Sequence, residues 1–114
     1  MHEASIARSI LDIVEQEMGK RPGVKLKAVN VAIGKLSAVS VEQLTWWFTV
    51  MVAETDMAGA VLNVREVPIG YKCAECGNEF TSDEVAIQCP RCGAEHPQMV
   101  SGRELEVESL EVDE

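Results

Sequence analysis

The chain is expected to be an α/β protein: a small mixed three-stranded sheet with two helices, plus an inserted four-cysteine zinc-ribbon domain. Three observations predict this. Apolar residues recur at helical spacing in two stretches, and alternate at strand spacing in three others. Four cysteines then fall as two CxxC pairs inside a segment that has neither pattern. A length of 114 residues holds one domain, or one domain carrying a small insert.

The first helix is read from Ile6, Ile10, Ile13 and Val14, spaced i, i+4, i+7 and i+8, with Arg8, Asp12, Glu15 and Gln16 between them. Gly19 and Pro22 end it, because proline cannot continue a helix and disfavours helical geometry just before itself. From Lys25 to Ile33 the period becomes two: Val29, Val31 and Ile33 alternate with Ala28, Asn30 and Ala32, as in a half-buried strand. Leu26 has the opposite parity, so this strand is expected to start late or to carry a bulge.

After a loop at Gly34–Ser37, Ser40 and Gln43 fit a capping box for a second helix. Its stripe is Val41, Leu44, Trp47, Phe48, Met51 and Val52, and the two aromatics are read as core. Gly59 closes that region. Ala60–Val67 follows as a strand with Leu62 and Val64 facing in and Asn63 and Arg65 facing out. Strand, helix and strand in this order favour a parallel pair joined by a right-handed crossover. Arg103–Val112 supplies the third strand, with Leu105 and Val107 on one parity, Leu110 and Val112 on the other, and Glu104, Glu106 and Glu108 toward water. Such a strand cannot stand alone and is expected to rejoin the sheet. The domains are therefore 1–67 with 103–114, discontinuous, and an inserted ribbon at 68–102.

Composition limits function. Hydrophobic residues at 46% and charged residues at 25% are ordinary for a globular chain. Ten Lys and Arg against nineteen Asp and Glu leave a net charge of −9, which argues against a phosphate-backbone binder. No apolar run approaches the roughly 20 residues of a membrane span, and no basic-then-apolar secretion signal opens the chain. A cytoplasmic compartment is the expectation, and there four cysteines favour metal over disulfides.

Cys73-Ala-Glu-Cys76-Gly and Cys89-Pro-Arg-Cys92-Gly are separated by twelve residues. Two residues between thiols let both sulfurs face one ion, and the following glycine permits the positive φ that turns amides toward them. Two such knuckles make a closed tetrahedral S₄ shell, read here as structural zinc at Cys73, Cys76, Cys89 and Cys92. A rubredoxin-like iron centre has the same ligand geometry and stands as the alternative. A filled shell leaves no site for water, so the ion holds the fold and does not catalyse. His96 is read as a surface residue. There is no Gly-rich phosphate loop, and two histidines give little material for an enzyme.

Met1-His2-Glu3 is the second metal candidate. The α-amine, a backbone amide and the imidazole of His2 can close successive chelate rings, a donor set suited to square-planar Ni(II) or Cu(II). Methionine is expected to be retained before so large a residue. A histidine at position two also occurs by chance, and an acidic zinc-ribbon protein–protein adaptor without nickel function is the rival reading.

Taken together, these motifs resemble the HypA/HybF family of hydrogenase-maturation nickel metallochaperones. The likeness spans Met1-His2-Glu3, Ile33-Gly34 through Ser37 and Val39, Ala58-Gly59-Ala60 through Glu66-Val67-Pro68, both CxxCG knuckles and Ser101–Leu105. The resemblance implies a nickel-binding α/β domain and a zinc domain, and no enzymatic activity. It implies Ni(II) as cargo held by His2 with Met1 and Glu3. It further implies a HypB-type GTPase and the large subunit of [NiFe]-hydrogenase as partners. Two departures are visible. Ser40 stands where some relatives carry an acidic residue that joins the nickel shell, and Gly77 and Gly93 stand where some carry histidines beside the cysteines.

Overall fold

The structure, a computed structural model, describes residues 2–113. Met1, a nickel ligand by the resemblance, and the last acid, Glu114, lie outside the described residues. In order, the elements are α1 (Glu3–Met18), β1 (Lys25–Gly34), a 3-10 turn (Lys35–Ser37), α2 (Val41–Val52), β2 (Val61–Val67), β3 (Ile69–Lys72), β4 (Glu79–Ser82), β5 (Gln98–Ser101) and β6 (Leu105–Asp113). The fold class is the one expected, with two α-helices and small sheets. The chain divides into two compact units, one of residues 1–32, 39–65 and 106–114, the other of 33–38 and 66–105.

In the first unit, α1 packs against α2 and the sheet runs β2-β1-β6. Ile6, Ala7, Ile10, Leu11 and Val14 are the buried residues of α1. The expected stripe is displaced at one position: Ile13 is 47% exposed, and Leu11 takes its place in the core. Successive residues on a helix differ by about 100°, so a stripe centred on Ala7 and Val14 takes in Leu11 and turns Ile13 outward. Gly19 caps the helix at φ −61°, a conformation open to any residue. On α2 the buried residues are Leu44, Phe48 and Val52, while Val41, Trp47 and Met51 are half-buried. Ser40 is the N-cap, its Oγ accepting from the Gln43 amide at 3.3 Å.

β1 departs most from expectation. It is the central strand, and Leu26, Ala28 and Ala32 are as buried as Val29, Val31 and Ile33, so it is covered on both faces. The strand starts at Lys25, so Leu26 lies inside it and there is no late start. The small even-numbered side chains let the flanking strands meet over β1. Arg65 of β2 forks onto Glu108 of β6 at 2.9 and 3.1 Å, and Asn63 reaches Asn30, which itself donates to Ser109 and Glu111. β2 follows its reading: Leu62 is buried, Val64 half-buried, and Asn63 and Arg65 exposed. β6 is continuous despite its change of parity, with exposed Glu108 and Ser109 between half-buried Val107 and Leu110. Glu104 does not face water as expected: it is half-buried, and its Oε1 accepts from the Gly102 amide at 2.7 Å.

The second unit is a ribbon built on the sheet β4-β3-β5, with both pairings antiparallel. Ile69 and Tyr71 are buried on β3. Tyr71 stacks on Phe80 at 5.3 Å, and its hydroxyl accepts from the Ala86 amide at 2.9 Å. Residues 33–38 belong to this unit. Gly34 donates to the Glu104 carbonyl at 2.7 Å and Leu36 to the Gly102 carbonyl at 2.8 Å. Lys35 reaches Asp83 at 2.9 Å, a hydrogen bond that raises the ammonium above its ordinary pKa.

Candidate metal centre

Each cysteine pair is a tight turn, and the two turns are alike. In one, Cys73 donates to the Asn78 carbonyl and Gly77 to the Cys73 carbonyl, each at 2.9 Å. In the other, Cys89 donates to the Ala94 carbonyl and Gly93 to the Cys89 carbonyl, at the same distance. Gly77 and Gly93 have φ of 75° and 76°, the left-handed geometry for which glycine was expected there. The first turn follows β3, and the second precedes β5.

Folding brings the turns face to face. Cys73 Sγ lies 3.5 Å from Cys92 Sγ, and Cys76 Sγ lies 3.7 Å from Cys89 Sγ. All four sulfurs are within 4.8 Å of one another, with Cys73 and Cys89 buried and Cys76 and Cys92 exposed. A tetrahedral ion with metal–sulfur bonds of about 2.3 Å needs sulfurs about 3.8 Å apart, so this quartet fits one ion with little adjustment. The close pairs each join one knuckle to the other, so a single ion would clamp both ends of the ribbon. The same spacing is far outside the roughly 2.05 Å of a disulfide.

Backbone amides favour thiolates here. The Cys89 thiol is drawn down to about 6 by the Cys92 amide, against desolvation and with help from the Arg91 amide. Cys73 is lowered in the same way by the amides of Cys76 and, after desolvation, Glu75. Cys92 goes in the other direction. The Ala94 amide favours its thiolate, but the neighbouring thiols, Cys73 foremost, and burial together push it up to about 12. Four anions cannot share this space unaided, and a divalent cation is the counter-charge that would ionise all four. Asn78 was not singled out from sequence, yet its Nδ2 sits 3.8 Å from Cys89 Sγ, at the edge of the cluster. Its place directly after the knuckle glycine was the available signal. His96 is exposed, with φ 59° and its amide donating to Ile87, and it is not among the clustered side chains.

His2 lies elsewhere in the chain, as the exposed N-cap of α1. Its backbone is extended, its side chain makes no capping hydrogen bond, and its carbonyl accepts from Ile6 at 3.2 Å. Glu3 is half-buried in the first turn. The structure brings the four cysteines together and leaves His2 and Glu3 at a helix start.

A family model described as hydrogenase/urease nickel incorporation, metallochaperone, hypA matches residues 1–112. The chain belongs to the HypA family. That family consists of metallochaperones of hydrogenase maturation and not of enzymes. Among its relatives, the hydrogenase maturation factor HypA of Solidesulfovibrio magneticus is 44% identical over 117 residues, covering 99% of this chain and all of that one. The HypA of Desulfatibacillum aliphaticivorans is 38% identical, covering 98% and 87%. The fold is shared with the solution structure of the Ni metallochaperone HypA from Helicobacter pylori, at TM-score 0.66 and 24% identity, covering 98% and 97%. A second HypA solution structure matches at TM-score 0.71.

Proposed function

We propose that this HypA-family chain binds Ni(II) at its N-terminus and delivers it during [NiFe]-hydrogenase maturation, while a structural zinc ion sits in the four-cysteine ribbon. The observation that carries the proposal is the family match along residues 1–112. His2 is the principal nickel ligand, with the Met1 amine and the Glu3 amide completing the shell. An exposed imidazole without a capping bond supports this, as does the place of these residues. The first N–H groups of a helix have no intrahelical acceptor, so a metal displaces no ladder bond. A shell of few side chains at an exposed helix start also suits a cargo that must be released.

Cys73, Cys76, Cys89 and Cys92 are the zinc ligands, for which the sulfur spacing is the support. In this reading residues 1–67 and 103–114 form the nickel-binding domain and 68–102 the zinc domain. A HypB-type GTPase and the hydrogenase large subunit are the partners, and the cytoplasm is the site of action. No described helix is long and apolar enough to cross a membrane.

Calorimetric Ni(II) titration of the untagged chain tests the proposal. Stoichiometric binding that disappears in His2→Ala, and on adding residues before Met1, is expected, with thermal stability retained. Undiminished nickel affinity in either variant overturns the nickel assignment. Elemental analysis should give about one zinc per chain, and an iron-containing product would replace zinc in the ribbon.

A further inference from the structure

The sheet β2-β1-β6 ends on one side at β6, which among the described residues pairs only with β1. An open edge nine residues long presents unpaired amides and carbonyls that invite another strand. Beside it, Val107, Leu110 and Val112 form with Ile13 and Met18 of α1 an open groove of about 400 Å³. This explains why an isoleucine of α1 faces outward without joining the core.

Charge selects what can lie there. From Glu106 to Asp113 the strand carries Glu106, Glu108, Glu111 and Asp113 and no base. Glu108 is engaged by Arg65 and Glu111 by Asn30, whereas among the described residues Glu106 and Asp113 have no ion-pair partner. The groove is also lined by Arg21, beside Glu17, which pairs with Lys20, and Glu108, which pairs with Arg65. A second copy of β6 would set acids against acids with no base on either side, which is destabilising across a strand pair. β2, the other edge, is shorter and carries both Arg65 and Glu66, so it has no comparable preference.

We propose that the β6 edge is a docking site for an extended, lysine- or arginine-bearing segment of another protein. That segment is added to the sheet as a fourth strand, with its apolar side chains in the groove. The backbone ladder supplies the register, and the acids of the strand, Glu106 and Asp113 foremost, choose the sign of the partner and disfavour self-pairing. This surface is independent of the nickel and zinc readings.

The test uses the full chain and a blocked nine-residue peptide alternating lysine and valine, followed by amide hydrogen exchange at low salt. Expected is a slowing of exchange of at least about tenfold confined to β6 and its β1 partners. Binding should weaken about tenfold when four consecutive central residues of the peptide are N-methylated, and again when glutamate replaces lysine. Glu106→Lys, at an exposed position, should weaken the lysine peptide and leave the melting temperature unchanged. Equal binding of the N-methylated peptide overturns strand addition, since charge alone would then suffice. Protection that appears on β2, or no slowing at β6 with peptide in large excess, overturns the site. Protection of β6 that grows with protein concentration in the absence of peptide identifies a second copy as the occupant and also overturns it.

Discussion

Gly34→Ala is the most demanding test of how the ribbon unit is assembled. Gly34 has φ −73° and ψ 143°, ordinary extended backbone, so no turn requires a glycine there. A Cβ at this position would lie 2.0 Å from the Gly102 carbonyl oxygen, 2.1 Å from its carbon and 2.5 Å from the Arg103 nitrogen. Real carbon contacts with such atoms begin above 3 Å, so the 102–103 backbone must retreat by more than 1 Å. Two hydrogen bonds cross this point, from Gly34 to Glu104 and from Leu36 to Gly102. Losing them costs about 1 kcal/mol each, and the overpacking adds about 1–3 kcal/mol. A total of about 3–5 kcal/mol corresponds to a fall of roughly 12–20 °C for a chain of this size. Tyr71 is the single tyrosine and reports on this unit, while Trp46 and Trp47 report on the other, so near-ultraviolet circular dichroism follows both on heating. Gly59→Ala is the control: its φ is +93° but a Cβ there meets nothing, so only strain of about 1–2 kcal/mol is at stake. A Gly34→Ala melt within about 2 °C of the parent, or no worse than Gly59→Ala, would refute the close approach of the two backbones.

The other expectations are simpler. Phe48→Ala, at a fully buried site on α2, should lose about 3–5 kcal/mol in denaturant titration through the cavity it leaves. Ser40→Ala removes the α2 cap and should cost about 0.5–1 kcal/mol, the low end of the range because the bond is 3.3 Å long. Arg65, by hydrogen bond and charge, holds Glu108 below its ordinary value of 4.5. A depressed carboxylate stabilises the fold above its unfolded pKa and loses that contribution as pH falls through its folded one. Arg65→Met should therefore return the Glu108 titration, followed by carboxyl NMR, to the ordinary range, and its stability deficit should vanish below the depressed pKa. Chelating the zinc proposed for the ribbon should speed amide exchange across β3–β5 and leave α1 and α2 protected; uniform loss in both units would contradict a metal that serves the ribbon alone.

Helix existence, strand existence and the cysteine quartet were legible in the chain because each rests on local periodicity or spacing. Ser40 as a cap and the positive φ at Gly77 and Gly93 belong to the same class, since a turn or helix end decides them within a few residues. Readings that needed neighbours were displaced. Ile13 and Leu11 are equally apolar, and only the placement of α1 against α2 and the sheet decides which one is covered. Ala28 and Ala32 look like a solvent face until β1 is known to be central and spanned by Arg65–Glu108. Glu104 looks like one more surface acid until its carboxylate closes on the Gly102 amide.

Residue type and order therefore came first: two CxxCG knuckles offer four thiols as candidate ligands for one tetrahedral ion, and His2 offers the nitrogen donor of the proposed nickel site. Tertiary structure decided that the four sulfurs converge, that Gly34 must be glycine for the sake of Gly102, and that β6 is an open acidic edge. The physical reason is range. Ligand identity and turn geometry are fixed by covalent neighbours, whereas burial, close approach and a free strand edge exist only between segments that folding brings together.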